Sequence, residues 1–134
     1  MPQSASLRVR SVLRELKRRE PIFHRPEFGR TRTAFTRMTD PAFWEVGASG
    51  RRYDRRRVLA DVTKRYRDPQ YRGMDSPPES RWQMNEFRCR RLGPRVFLLT
   101  YVLIQGRRVT RRATIWRRAG SGWKAVYHQG TLVD

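Results

Sequence analysis

Residues 96–104 read VFLLTYVLI, and almost every position in this run is apolar. The run is too short to cross a bilayer as a helix, so its position among turn signals predicts a buried strand. A strand with one face in water should alternate apolar and polar residues, but this one is apolar on both faces. One face can pack on helices, and the simplest cover for the other is the same sheet of a second subunit. The run therefore predicts a homodimer that packs through its sheet face.

The run is predicted to be the second of four long strands that fill the C-terminal half of the chain. The period of the sequence changes from helical to extended near residue 82 and stays extended to the end. The predicted strands cover residues 81–91, 95–105, 108–118 and 122–133. Short turn signals, LGP, QGR and AGSG, separate them. This spacing is typical of an antiparallel meander.

The N-terminal half is predicted to hold three helices and a strand pair. Apolar residues recur at helical spacing in residues 6–20, where Pro21 should end the first helix. A short second helix over residues 31–39 has Thr31 as its N-cap, and Asp40 and Pro41 should end it. Residues 42–48 are predicted to be a strand with a short partner. A third helix over residues 54–66 is capped by Asp54, and a loop rich in proline and glycine follows.

The element order predicts an α+β protein, with three N-terminal helices against a curved, mainly antiparallel sheet. With 134 residues, the chain is long enough for one compact domain, and it shows no internal repeat. We expect a single domain over residues 1–134, of which residues 1–5 are flexible.

Arginine dominates the composition. The chain has 31 Lys and Arg against 12 Asp and Glu, for a net charge of +19, and only three of the basic residues are lysines. From Phe87 to Val133 there are ten arginines, one lysine and no carboxylate. Such an excess favours polyanionic partners, including nucleic acid, although a bias of the genome toward arginine would explain part of it.

The remaining composition favours a cytoplasmic protein. Cys89 is the only cysteine, so no disulfide can form within the chain. The first residues lack the long apolar core of a secretory leader, and no membrane partner is expected. Cys89 is expected to be a small core residue, because no nucleophile motif surrounds it.

Several stretches together resemble the nuclear transport factor 2-like superfamily, which includes ketosteroid isomerase and SnoaL-like proteins. They are FHRPEFG, FWEVGASGRRY, FRCRRL, FLLTYVLIQGRR, IWRR and GWKAVYHQGT, and they span most of the chain. The sequence of these stretches is most similar to that of the uncharacterised bacterial branch of this superfamily. The resemblance implies a cone, made by a curved sheet wrapped around helices, whose open end can hold a small ligand. It leaves the function open, because this fold serves enzymes, adaptors and scaffolds.

The resemblance also suggests a candidate acid. In ketosteroid isomerase a carboxylate near the mouth of the cone moves a proton, and Glu45 falls at or next to that position. Its neighbours Phe43, Trp44 and Val46 would desolvate it and raise its pKa. The oxyanion donors of that enzyme have no counterpart here, so steroid-type isomerisation is not expected. The plainer alternative for Glu45 is a salt bridge to an arginine.

His24 and His128 are the only histidines, and both are candidates to orient a ligand or relay protons beside Glu45. Strict alternation would group Trp123, Ala125, Tyr127 and Gln129 on one face of the last strand and His128 on the other. Alternation does not say which of these faces is concave, so either Tyr127 and Gln129 or His128 line the cone, and we favour His128. Further ligand-binding candidates complete the set: Trp44, Tyr127, Gln129, Arg88, Arg90 and Arg112.

The sequence thus predicts a protein that binds a small polar or anionic ligand in the cone, with or without acid–base chemistry. Two alternatives stay open: an arginine-rich protein that binds nucleic acid, and a dimeric scaffold without catalysis. No Walker, Rossmann, zinc or Ser-His-Asp signature is present. No cofactor and no metal site are predicted, since the two histidines and Glu45 are far apart in sequence.

Overall fold

The computed structural model describes residues 5–75 and 82–133 and confirms the α+β prediction. The helices are α1 (Ala5–Lys17), α2 (Arg32–Arg37) and α3 (Arg55–Tyr66), with short 3-10 turns at Pro26–Phe28 and Gly73–Asp75. The strands are β1 (Thr39–Val46), β2 (Arg52–Asp54), β3 (Gln83–Gly93), β4 (Val96–Gln105), β5 (Arg108–Ala119) and β6 (Gly122–Leu132). The prediction that residues 1–5 are flexible concerns a segment whose first four residues lie outside the described ranges.

The predicted caps of α2 and α3 are confirmed. The Thr31 hydroxyl accepts a hydrogen bond from the Ala34 amide at 3.2 Å, and the Asp54 carboxylate accepts one from the Arg57 amide at 2.8 Å. The predicted end of α2 at Asp40 and Pro41 is wrong, because β1 has already begun at Thr39. The α1 helix likewise ends at Lys17, earlier than predicted.

All six strands form one mixed sheet in the order β2-β1-β6-β5-β4-β3. Strands β3 to β6 pair antiparallel with their neighbours in sequence, which confirms the predicted meander. Strand β1 pairs parallel with β6, so the N-terminal hairpin lies beside the last strand. This pairing places β1 and the end of β6 side by side at one end of the sheet.

The helices cover one face of the sheet and form a single core with it. Along β4 the alternate residues Phe97, Leu99, Tyr101 and Leu103 are buried on that inner face. Their helical partners in the core cluster include Leu16, Phe35 and Leu59. The opposite, outer side of β4 carries Leu98, Thr100, Val102 and Ile104. Among the helices of the described ranges, none is long and apolar enough to cross a membrane.

A β-bulge interrupts the alternation of β6. Ile115 pairs with Tyr127, but the next residue, Trp116, pairs with Ala125, so Val126 is an extra residue. Trp123 and Ala125 are buried before the bulge, and His128 and Gly130 are buried after it. The predicted grouping of Trp123 and Ala125 with Tyr127 and Gln129 is therefore wrong. The bulge returns His128 to the inner face of the sheet and leaves Tyr127 and Gln129 outside.

A buried carboxylate ties the chain after α1 to the sheet. Glu20 has no exposed surface, and its Oε1 accepts hydrogen bonds from the Ile22 amide at 2.9 Å and the Tyr101 hydroxyl at 2.8 Å. Its Oε2 accepts one from the Trp116 indole at 2.9 Å. These bonds join the segment that begins at Glu20 to both β4 and β5.

Candidate functional site

The inner face of the sheet encloses one side of a cavity of about 490 Å³. Its walls come from the segment after α1, the end of β1, the inner side of α3 and the paired strands β5 and β6. Of the residues predicted to form a site, the structure brings Glu45, His24, His128 and Arg112 together in these walls. The cavity is therefore the place where four of the candidate side chains meet.

Glu45 and His128 are neighbours because of the parallel pairing of β1 with β6, in which they are direct partners. Among the described residues, the Glu45 carboxylate makes no hydrogen bond and no ion pair within 4.0 Å. Burial raises the pKa of Glu45 above its ordinary value of 4.5, although Arg112 and Arg65 act in the opposite direction. The alternative of a direct salt bridge to an arginine is thus not what the described contacts show.

His128 is only 4 % exposed and is held on both ring nitrogens. Its Nδ1 lies 2.8 Å from the Thr114 hydroxyl, and its Nε2 lies 3.4 Å from Nη1 of Arg112. Burial, together with the charge of Arg112, lowers the pKa of His128 from 6.5 to about 3. The imidazole is therefore neutral near pH 7 and does not serve there as a cation.

Arg112 enters the cavity from β5, and its hydrogen bonds within residues 5–75 and 82–133 go to neutral acceptors. Its Nε donates to the Thr110 hydroxyl at 3.0 Å, and its Cζ lies 3.7 Å from where a side chain would begin at Gly130. Within the described part of the chain, no carboxylate lies within 4.0 Å of its guanidinium. A half-buried guanidinium without an anionic partner is the arrangement that binds carboxylates and phosphates.

His24 forms the opposite wall with two aromatic side chains. Its Nδ1 is hydrogen-bonded to the Tyr71 hydroxyl, and its ring meets Trp82 edge to face at a centroid distance of 5.1 Å. The backbone at Gly73 packs on the His24 carbonyl so closely that an added Cβ would lie 2.5 Å from the oxygen. Burial, followed by the charges of Arg65 and Arg112, holds the pKa of His24 well below 6.5.

The cavity has a positive electrostatic balance. Besides Arg112, its walls include Arg65 and Arg108, whereas the carboxylates are Glu45 and Asp61. Asp61 forms an ion pair with Arg57 at 3.0 Å on the surface of α3. Glu45 is therefore the one lining carboxylate, among the described residues, that lacks an ion-pair partner.

Three predicted ligand-binding residues lie on the outer face of the sheet instead. The Trp44 and Tyr127 rings pack together at a centroid distance of 4.5 Å, and the Tyr127 hydroxyl donates to Gln129 at 2.5 Å. The Arg52 guanidinium covers the Trp44 ring at 4.4 Å. The Val126 bulge is the reason for the outward position of Tyr127 and Gln129, so the alternative in which these two residues line the cone is wrong. Trp44 lies on the same outer face because it pairs directly with Tyr127.

Arg88 and Arg90 also lie outside the cone. Both are exposed on β3, where they pair with Thr100 and Leu98 of the outer side of β4. Cys89, between them, packs against the core as predicted. The prediction that these two arginines attract a ligand into the cone is therefore wrong, whereas Arg112 does reach the cavity.

Sequence reasoning missed several residues of this site. Arg65 and Tyr71 line the cavity, and Glu20 and Thr114 lie behind it. The stretch EPIF could have indicated that Glu20 is buried, because this carboxylate comes directly before three apolar residues in a very basic chain. Thr114 and Arg65 carried no such signal, since both stand in stretches full of similar residues.

The described residues provide no group of three or more His, Cys, Asp or Glu side chains that could hold a metal ion. The two histidines and Glu45 share the cavity walls without forming such a cluster.

Comparisons with known proteins show the fold. No protein-family model matches the chain, and no curated protein does. Among solved structures, a nuclear transport factor 2-like protein of unknown function in nutrient uptake from Rhodospirillum rubrum matches 92 % of this chain and 98 % of its own, with a TM-score of 0.63 and 15 % identity. A DUF3225 protein of unknown function from Pectobacterium atrosepticum matches 98 % and 94 %, with a TM-score of 0.64 and 13 % identity.

A third neighbour is a candidate calcium/calmodulin-dependent kinase II association domain from Exiguobacterium sibiricum. It matches 100 % of this chain and 98 % of its own, with a TM-score of 0.55 and 18 % identity. Together these matches show that the chain has the nuclear transport factor 2-like fold, as its sequence predicted. Neighbours of the same fold include bacterial proteins of unknown function, and at these identities they show the fold alone.

The low pKa of His128 makes a testable contribution to stability. Its folded-state pKa of about 3 lies below the unfolded value of 6.5, so the unfolded chain binds more protons between these values. The stability that His128 contributes is complete above pH 6.5 and is lost as the pH falls toward 3. Between pH 7 and pH 4 the free energy of unfolding of the natural protein should fall by roughly 3 kcal/mol more than that of His128→Gln, as measured by urea unfolding. Equal losses in the two proteins would contradict the burial of a neutral imidazole.

Glu45 should show the opposite sign. Because its folded-state pKa is raised, the folded chain loses stability as the pH rises from 4.5 through that pKa. We expect Glu45→Gln to be more stable than the natural protein at pH 7, with a difference that shrinks below pH 4.5. Glu86→Gln, which changes an exposed carboxylate, is the matched control and should change stability little. A Glu45→Gln variant that is less stable at pH 7 would show that Glu45 has a structural partner.

Proposed function

We propose that the cavity binds a small anionic molecule and that Arg112 is the residue that binds its charge. The observation that supports this most directly is a guanidinium that faces the cavity and whose hydrogen bonds, among the described residues, go only to a threonine hydroxyl and a neutral imidazole. Arg65 and Arg108 in the same walls add to the positive field. The volume of about 490 Å³ lies in the usual range of small-molecule sites.

Acid–base chemistry in this cavity would depend on Glu45 rather than on the histidines. The imidazole of His128 has a pKa of about 3 and is a poor base near pH 7. The raised pKa of Glu45 moves that carboxyl toward values suited to proton transfer, and no described side chain hydrogen-bonds to it. We propose Glu45 as the proton acceptor for a bound molecule, while His24 and His128 orient that molecule as neutral hydrogen-bonding groups.

The charge-binding role of Arg112 is tested with benzoate and benzamide, which have nearly the same shape and differ in charge. We expect the natural protein to bind benzoate more tightly than benzamide when both are titrated by calorimetry. Arg112→Gln should weaken benzoate binding on the order of tenfold or more, because a charge-assisted pair is lost, and should change benzamide binding little.

The matched control is Arg111→Gln, which removes the same charge from the exposed, outer side of the same strand. It should leave benzoate affinity within about twofold, since an exposed charge is screened by solvent and salt. Equal losses in the two variants would show that benzoate responds to overall charge and would contradict the proposal. Failure of the natural protein to distinguish benzoate from benzamide would do the same.

We also propose a homodimer through the outer face of β4. Leu98 and Ile104 are partly exposed on this side of the strand, with Val102 between them, and none of the three belongs to the core cluster. The Exiguobacterium neighbour is named as an association domain, which is in keeping with assembly. A chain that lacks this ligand but forms such a dimer would support the scaffold alternative. The single cysteine supports a cytoplasmic setting for either role.

Nucleic-acid binding is a second candidate, which the outer sheet face favours. Arg88 and Arg111 line a shallow groove there, beside Gln129. Against it, Arg111 and Arg112 project to opposite faces, so this arginine pair does not concentrate its charge on one surface. An affinity for a DNA oligonucleotide that falls steeply with rising salt would favour this candidate, and a flat response would remove it.

A further inference from the structure

The His128 imidazole is held between two side chains of β5. Thr114 is fully buried, and its hydroxyl lies 2.8 Å from Nδ1 of His128. On the other side of the ring, Nη1 of Arg112 lies 3.4 Å from Nε2. Both ring nitrogens therefore have a polar neighbour on the same strand.

Counting donors and acceptors gives the tautomer. A guanidinium has only N–H donors, so Arg112 donates in its contact with Nε2 and the imidazole nitrogen accepts. In a neutral imidazole one ring nitrogen accepts and the other carries the proton. The proton of His128 is therefore on Nδ1, and this N–H donates to the Thr114 hydroxyl.

The consequence appears at the other ring nitrogen. With its proton on Nδ1, the neutral imidazole has a free lone pair on Nε2, on the side of Arg112. The contact of Arg112 Nη1 with this nitrogen is long, at 3.4 Å, so a closer donor would be a better partner for the lone pair. The cavity therefore presents a cationic donor and a neutral acceptor next to each other.

We propose that Thr114, as the acceptor for the Nδ1 proton, fixes the tautomer of His128 and thereby makes the cavity selective for 2-hydroxycarboxylates. The carboxylate of such a ligand binds the Arg112 guanidinium, and its hydroxyl donates to Nε2 of His128. This inference rests on the proposed function, because it uses the same cavity and the same arginine. Thr114 is a positioning residue in this arrangement, since it acts only through His128.

The tautomer is measured without any ligand. The chain has only two histidines, so 15N-histidine labelling gives few ring signals, and His128→Gln assigns them by loss. We expect Nδ1 of His128 to carry the proton and Nε2 to be unprotonated near pH 7. Thr114→Ser keeps the hydroxyl and should keep this pattern. Thr114→Val removes the accepting oxygen and should abolish the preference for one tautomer. A natural protein with the proton on Nε2 would overturn the proposal.

Selectivity is measured with mandelate, phenylacetate and O-methylmandelate. Phenylacetate lacks the hydroxyl, and O-methylmandelate keeps the oxygen but cannot donate. We expect the natural protein and Thr114→Ser to bind mandelate about tenfold more tightly than either analogue, as expected for a site that hydrogen-bonds a ligand hydroxyl. Thr114→Val should lose this preference and still prefer benzoate to benzamide, which shows that its fold and Arg112 are intact.

The outcomes separate the two proposals. If benzoate binding depends on Arg112 but mandelate binds no more tightly than its analogues, the selectivity proposed here is wrong, and the proposal that the cavity binds an anion stands. If mandelate and O-methylmandelate bind equally and more tightly than phenylacetate, the hydroxyl does not donate to His128, and this inference is overturned. If Thr114→Val retains the full mandelate preference, Thr114 does not position His128.

Discussion

The hydrogen bonds to the Glu20 carboxylate are the interaction on which the site depends. A carboxylate without solvent exposure is costly unless donors surround it, and here they come from three parts of the chain. Tyr101 comes from β4, Trp116 comes from β5, and the Ile22 amide belongs to the segment after α1. Burial raises the pKa of Glu20, and the surrounding hydrogen bonds act in the opposite direction. The segment that carries His24 is fixed to the sheet by this arrangement.

The Val126 bulge is the second constraint on the cavity. Without an extra residue, strict alternation after Ala125 would turn Tyr127 inward and His128 outward. With it, the inner face shows the small residues Ala125 and Gly130 on either side of His128, and Arg112 lies over Gly130. The bulge therefore exchanges an aromatic surface for a neutral imidazole beside a guanidinium. Bulges commonly reposition side chains next to sites of function.

Much of the fold could be predicted, because its signals are local. Thr31 and Asp54 cap their helices as short polar residues do, and the apolar period changes at the first long strand. The site could be predicted only in part. His24, Glu45, His128 and Arg112 were recognised as candidates, whereas the faces of Tyr127 and Gln129 depended on a strand alternation that was assigned without the bulge. The inward or outward position of Arg88 and Arg90, on β3, had no sequence signal. A bulge at Val126 has no sequence signal of its own, since it depends on the register of the neighbouring strand.

The roles of Glu20 and Thr114 could not be predicted for a different reason. Glu20 is 81 residues from Tyr101 and 96 from Trp116 along the chain, so only the folded sheet brings the donors together. The same holds for Thr114, whose partner His128 lies on the next strand. The net charge of +19 also argued against a buried carboxylate, because an acidic residue in such a chain is ordinarily expected on the surface, paired with an arginine.

The central claim is that the inner cavity, and not the outer sheet face, is where an anion binds. Chemical-shift mapping of 15N-labelled protein during a benzoate titration tests it most directly. The account predicts that the backbone amides of Glu45, Arg112 and His128 shift together and saturate with one affinity. Shifts confined to Arg88, Arg111 and Gln129, on the outer groove, would contradict it.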